Sequence, residues 1–215
     1  TTFPSLAEAY DDYGFAYCFS VSVIDRGIDE PDDYDSDRVE EILDKLPETN
    51  ETNAEELPNV IFIQVESFFD VNRLQNYVYT EDPVPYWTYL RENYPGGLLG
   101  VPSIGAGTAN TEFEIISGMS LDYFGVGEYP YKTILKETPA ESVAYNLKEL
   151  GYSAHAVHNH TYDFYDRNFI YTHLGFDTFT PIEYMPNVER NFINWAKDSI
   201  IPREIMKALD STEEK

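Results

Sequence analysis

The segment Val60-Ile61-Phe62-Ile63-Gln64-Val65 constrains the fold most. A short apolar run rich in β-branched residues predicts a buried parallel strand. It begins abruptly after Pro58-Asn59, and helix and strand signals follow it along the chain. Pro85 to Tyr94 (PYWTYLRENY) predicts a helix, and Gly96 to Val101 (GGLLGV) a second strand. Thr111 to Ile116 opens another helix, with Thr111 and Glu114 in capping-box register. Pro139 to Leu150 (PAESVAYNLKEL) is amphipathic and ends at Gly151. Ser153 to Val157 predicts a third strand, Asp166 to Leu174 a helix closed by Gly175, and Ile200 to Leu209 a last helix. Strands alternating with helices predict an α/β domain with a mostly parallel sheet flanked by helices.

Residues 1–57 have a different character. Ala9 to Ile24 (AYDDYGFAYCFSVSVI) mixes aromatic with small residues and suits a helix or strand packed on a neighbour. Val39, Ile42, Leu43 and Leu46 fall at helical spacing, with Ser36 as the expected N-cap and Pro47 as the stop. The polar stretch Glu48 to Glu56 (ETNETNAEE) predicts a linker. The expected organisation is therefore a helical, linker-like segment over 1–57 and a main domain over 58–215.

Charge excludes several function classes. With 14 Lys+Arg against 39 Asp+Glu, the formal net charge of −25 repels nucleic acid and anionic lipid surfaces. Cys18 is the only cysteine, so no intramolecular disulfide forms, and the compartment stays open. No apolar run approaches the roughly 18 residues of a membrane span. The chain begins Thr1-Thr2-Phe3-Pro4 without a signal peptide, which suits a mature or excised piece whose targeting elements lie elsewhere.

Candidate chemistry sits where the predicted strands end. Ligands in open α/β sheets bind outside the carboxyl ends of strands, and Glu66 follows the first strand directly. It could be a catalytic or metal-binding carboxylate, or simply a cap or surface acid. The loop from Pro102 to Phe113 (PSIGAGTANTEF) also precedes a helix, and its glycines let backbone N–H groups approach an anion. A hydroxyl there, next to a divalent cation, could attack phosphorus. The plain alternative is a glycine-rich turn with threonine as helix cap. The third strand opens into Val157 to Arg167 (VHNHTYDFYDR), with His155, His158 and His160 alternating. Histidine and arginine there suit a phosphate-bearing substrate, and the spacing matches no closed zinc set. His155 is expected to be packed away from that side, and His173 to act as a helix cap.

Three elements together resemble the lipoteichoic acid synthase and phosphoglycerol transferase family of the alkaline phosphatase and sulfatase superfamily. They are PNVIFIQVESF (58–68), GTANTEF (107–113) and HNHTYDFYDRNFIYTHLGFDTF (158–179), and they span about 120 residues. Residues 29–35 also resemble what such proteins carry between their membrane helices and the catalytic domain. The resemblance implies an alkaline phosphatase/sulfatase-like α/β fold, present as the N-terminal half of a catalytic domain after a membrane-proximal segment. Glu66 matches the family's metal-binding glutamate, and Thr108 matches the threonine that takes up the phosphoglycerol group and also ligates the metal. His158 and Arg167 match the residues that grip substrate. Tyr165 lies where tryptophan is common, and His160 where aspartate is common.

The implied activity is transfer of a phosphoglycerol or related phospho-alcohol group from a phospholipid to a cell-surface glycolipid or glycopolymer through phosphothreonine. Mn2+ or Mg2+ is the expected ion, with Zn2+ as the alternative. The expected setting is the outer face of a bacterial cytoplasmic membrane, reached through a part of the protein outside this chain or as a released soluble domain. The alternatives are a phosphoethanolamine transferase or phosphatase-like hydrolase of the same superfamily, or a non-catalytic binding domain of the same fold. Cys18 lacks the Cys/Ser-x-Pro/Ala-x-Arg setting that sulfatases convert to formylglycine, which argues against sulfatase activity. The family's Asp-His metal pair has no counterpart after Arg167, so the chain alone is expected to bind metal weakly and turn nothing over.

Overall fold

The computed structural model describes residues 6–24, 27, 31–46, 57–65, 68–103, 107–125 and 127–212. The chain forms two compact units, residues 31–101 and residues 1–30 with 102–215.

In the smaller unit, α2 (Ser36–Leu43) and α3 (Pro85–Asn93) are the α-helices among the described residues. The cap of α2 is Asp35 rather than the expected Ser36, its carboxylate accepting the Arg38 amide at 2.7 Å. Pro85 opens α3 as anticipated, since a proline nitrogen has no hydrogen to leave unpaired in a first turn. The interior of this unit gathers on Asp70, which is buried. Its carboxylate accepts from Trp87 Nε1 at 3.3 Å, Arg91 Nη1 at 2.5 Å and the Asn72 amide at 3.1 Å. Phe68 packs on the Trp87 ring, with centroids 4.9 Å apart.

Residues 60–65 and 96–101 correct the strand expectation. Both are irregular and exposed, with Ile63 at 68% and Leu98 at 86%. A strand exists only through the ladder to its neighbours. Among the described residues, no strand runs beside either segment.

The larger unit holds the main core. Its first helix, α1 (Leu6–Ile24), breaks at Gly14, where φ 76° and ψ 165° are not helical. The Cys18 thiol donates back across the break to the Ala9 carbonyl at 3.2 Å. The helix α4 (Thr108–Ser117) buries Ala109 and Phe113 one turn apart. They join Tyr131, Leu135 from α5 (Ile134–Glu137), Ala156, Ile170, Tyr171 and Leu174. Phe124 closes on Phe113 edge to face, at 5.4 Å. The expected Thr111–Glu114 capping box does not form. Gly107 caps α4 in the left-handed region, and Glu114 Oε1 accepts the Leu121 amide at 2.7 Å beyond the far end. The helix starts four residues earlier than the capping signal implied.

A β–α–β unit completes the core. The strands β1 (His155–His158) and β2 (Thr178–Pro181) pair in parallel, with His155 opposite Thr178 and His158 opposite Pro181. Between them runs α7 (Arg167–His173), ended by Gly175 at φ 83°. The predicted 139–150 helix is α6 (Val143–Glu149), starting later because Ser142 is its true cap. Ser142 Oγ accepts from the Ala144 and Tyr145 amides and donates to the Leu174 carbonyl at 2.6 Å. The last helix, α8 (Ile201–Asp210), lies against β1. The architecture is thus mixed α/β around a two-stranded parallel sheet.

Candidate functional site

Thr108 is the first residue of α4. Gly107 delivers it there at φ 78°, which suits glycine. A Cβ at Gly107 would stand 2.7 Å from Tyr129 Oη, so the tyrosine occupies the space that a side chain would need. The Gly107 carbonyl accepts from Ser103 Oγ at 3.0 Å and from the Asn110 amide at 2.9 Å. Asn110 Nδ2 donates to the Glu128 carbonyl at 3.1 Å, tying the segment at Glu128 to the start of the helix.

One turn on, Glu112 lies on the same face of α4 as Thr108. Its carboxylate is buried and fully engaged. Oε1 accepts from Tyr131 Oη at 2.8 Å, Tyr171 Oη at 2.7 Å and Arg167 Nε at 3.2 Å, and Oε2 accepts from Arg167 Nη2 at 2.8 Å. Burial and the Glu112 charge push both phenols well above their ordinary range, so they remain donors. For Arg167, burial opposes the charge, but the Glu112 hydrogen bonds and charge outweigh it and hold the guanidinium protonated.

Arg167 was expected on the substrate side, yet its side chain is only 2% exposed. Its third bond, from Nη1, goes to the Phe164 carbonyl at 3.1 Å. Just before it, Tyr165 and Asp166 are consecutive left-handed residues at φ 59° and φ 54°. Such non-glycine conformations cost about 1–3 kcal/mol each and cluster at functional sites. The turn stacks the Tyr165 ring on Tyr129 at 6.0 Å and brings it 5.4 Å from Arg167 Cζ. The Asp166 carboxylate meets Lys136 Nζ at 2.7 Å.

His158 is the last residue of β1, at the carboxyl end that the strand reading anticipated. The His160 amide donates to its Nδ1 at 3.1 Å, which leaves Nε2 as the protonated nitrogen of the neutral ring. Burial, then the Arg167 charge, pushes its pKa down to about 4. His158 is therefore a neutral donor near pH 7. His160 stacks on Phe164 at 4.0 Å and meets the edge of Trp195 at 5.9 Å. His155 contacts Thr178 Oγ1 and Thr212 Oγ1, a structural role on the sheet's rim. His173 Nδ1 meets the Leu135 carbonyl of α5, so it ties α7 to α5 rather than capping the end of its own helix as expected.

Thr108, His158, Tyr165 and Arg167 therefore belong to one compact unit. Glu112 and Tyr129 link Thr108 to Arg167 and Tyr165, and motif spacing alone had not revealed those links. The available signal was that Glu112 lies four residues after Thr108, on one helical face. Glu66 lies outside the described residues. Among the described residues, no three His, Cys, Asp or Glu side chains converge as a metal centre. Both expected ligands, the Glu66 carboxylate and the Thr108 hydroxyl, are hard oxygen donors of the kind that suits Mg2+ or Mn2+.

The sequence profile of the sulfatase family matches residues 58–215. The chain belongs to the sulfatase family. A protein of Rhizobium meliloti (strain 1021), named for cyclic β-1,2-glucan modification, is 32% identical over 207 residues, covering 96% of this chain and 31% of that protein. Among solved structures, the Streptococcus pyogenes phosphoglycerol transferase GacH, in complex with sn-glycerol-1-phosphate, aligns with a TM-score of 0.51 at 21% identity. That match covers 59% of this chain and 34% of GacH, and it is a likeness of fold. The Listeria monocytogenes lipoteichoic acid synthase LtaP aligns with a TM-score of 0.41 at 20% identity, over 48% of this chain and 24% of its own. This sulfatase-family chain thus spans about a third or less of the relatives it matches. No helix among its described residues is long and apolar enough to cross a membrane.

Proposed function

We propose that the protein containing this chain transfers phosphoglycerol, or a closely related phospho-alcohol, from a phospholipid to a surface glycan through a phosphothreonine at Thr108. The observation that carries this reading is the geometry of α4. Thr108 and Glu112 share one helical face, and Glu112 anchors Arg167, so Thr108 and the buried Arg167–Glu112 pair are fixed by the same rigid element.

In the first step Thr108 Oγ1 forms a bond to phosphorus, and the bond from phosphorus to the diacylglycerol oxygen breaks. Diacylglycerol leaves with a proton. In the second step an acceptor hydroxyl forms the new P–O bond, and Thr108 regains its proton. His158 donates from Nε2 to a phosphoryl or glycerol oxygen. Tyr165 packs against the glycerol portion. Arg167, buried and paired with Glu112, holds the turn that carries Phe164 and Tyr165 in place behind the site. A divalent cation at Thr108 would lower the hydroxyl pKa and polarise the phosphoryl oxygens, and the family resemblance implies Glu66 as one of its ligands.

The relative's name supports a β-1,2-glucan as acceptor, which would set the reaction at the outer face of a bacterial membrane. The test uses the full-length protein with glycerol-labelled phosphatidylglycerol, a cyclic β-1,2-glucan and Mn2+. Label should move to the glucan and should stop moving when a chelator is added. Label that appears only as free glycerol phosphate would favour the hydrolase reading instead.

A further inference from the structure

We infer that Lys132 is a phosphate-binding residue of this site, seated on a shelf formed by Tyr129 and Tyr165. The inference rests on the phosphoryl-transfer reading and adds a residue that neither the sequence motifs nor the comparisons single out.

The first observation is charge. In a chain of net charge −25, cations are quickly taken up by neighbouring acids. Lys45, Lys136, Lys148, Lys197 and Lys207 each meet a carboxylate within hydrogen-bond distance. Among the described residues, Lys132 is the one lysine that forms no ion pair. Its Nζ instead lies 4.9 Å from the Tyr129 ring centroid and 5.2 Å from that of Tyr165. An exposed contact of this kind is worth only about 0.5–1 kcal/mol, so the ammonium stays available to a stronger anionic partner.

The second observation is position. Tyr129 covers Gly107, the residue before Thr108, and Tyr165 leads into Arg167 by way of Asp166. The shelf thus joins the turn before Thr108 to the turn before Arg167. Arg167 is almost wholly buried and has most of its donors on Glu112 and Phe164, whereas Lys132 is exposed. A phosphate arriving at Thr108 therefore meets Lys132 as its solvent-facing cation. A lysine ammonium suits this role because it is a point charge with three donors that can follow phosphate oxygens as they move.

The left-handed pair Tyr165–Asp166 is the third observation. It costs stability and is the local geometry that holds the Tyr165 ring under the ammonium.

The experiment compares full-length wild type with Lys132→Met, Lys132→Arg and, as a remote control, Lys45→Met. Affinity for sn-glycerol-1-phosphate is measured by calorimetry, and transfer by labelled phosphatidylglycerol. Lys132→Met, which keeps the apolar stem, should weaken glycerol phosphate binding about tenfold or more. It should raise KM for the donor more than it lowers kcat, and Lys132→Arg should recover most of the loss. Unchanged affinity in Lys132→Met would overturn the inference, as would an equal loss in Lys45→Met. A wild-type protein that binds glycerol phosphate through Lys132 but transfers nothing would refute the transfer reading and leave the binding site standing.

Discussion

Arg167 and Glu112, 55 residues apart in sequence, form a two-pronged buried ion pair, with Nη2 to Oε2 at 2.8 Å and Nε to Oε1 at 3.2 Å. Each charge depends on the other, because Arg167 is 2% exposed and Glu112 has two tyrosine hydroxyls aimed at it. Glu112→Ala should therefore cost about 3–5 kcal/mol, since it leaves an uncompensated guanidinium in the core. Replacing both partners together, as Glu112→Leu with Arg167→Met, should cost clearly less. Urea denaturation of the two variants checks the order. Equal costs would mean that the pair is not energetically coupled.

His158 makes stability depend on acid. Its pKa falls from about 6.5 in the unfolded chain to about 4 in the fold, chiefly through burial and then the Arg167 charge. Between these values the unfolded chain binds more protons than the folded one, so stability decreases as pH falls through this window. The contribution is full above pH ~6.5 and lost by pH ~4, and it amounts to roughly 3 kcal/mol at most. His158→Asn should flatten this slope. Denaturation midpoints at pH 7, 5.5 and 4.5 are the check, and an unaltered slope in the variant would assign the acid sensitivity elsewhere.

Local signals were legible in the sequence, and long-range ones were not. Pro85 opening α3 and Gly175 closing α7 were anticipated, because proline and glycine act through their own backbone. The strands expected at 60–65 and 96–101 failed for the opposite reason: an apolar β-branched run shows what a segment can do, and only a neighbouring strand makes it do so. The Thr111–Glu114 register also misled, because the left-handed Gly107 starts α4 earlier than the box would. Within the site, His158 fell at a strand end as expected. The burial of Arg167 could not be seen, since its partner Glu112 lies in another motif and no local pattern links the two.

Gly107 tests how the nucleophile is positioned. At φ 78°, with Tyr129 Oη 2.7 Å from where a Cβ would stand, Gly107→Ala is strained in its backbone and crowded in its contacts. The expected cost is more than about 1 kcal/mol. The larger effect should fall on the rate, because Thr108 is the next residue. Transfer should drop at least tenfold in Gly107→Ala, with donor KM less affected than kcat. Normal turnover in a stably folded variant would show that the turn does not set the attack geometry.

Thr108 as nucleophile is the central claim, and it can be tested directly. Full-length protein is quenched in acid after brief exposure to phosphorus-labelled phosphatidylglycerol and Mn2+, and the labelled peptide is mapped by mass spectrometry. The account predicts a phosphoglycerol adduct on Thr108, chased off by the glycan acceptor. It also predicts no adduct in Thr108→Ala, whose fold should survive because Gly107, and not the Thr108 side chain, caps α4. Label on any other residue, or substantial transfer by Thr108→Ala, would contradict it.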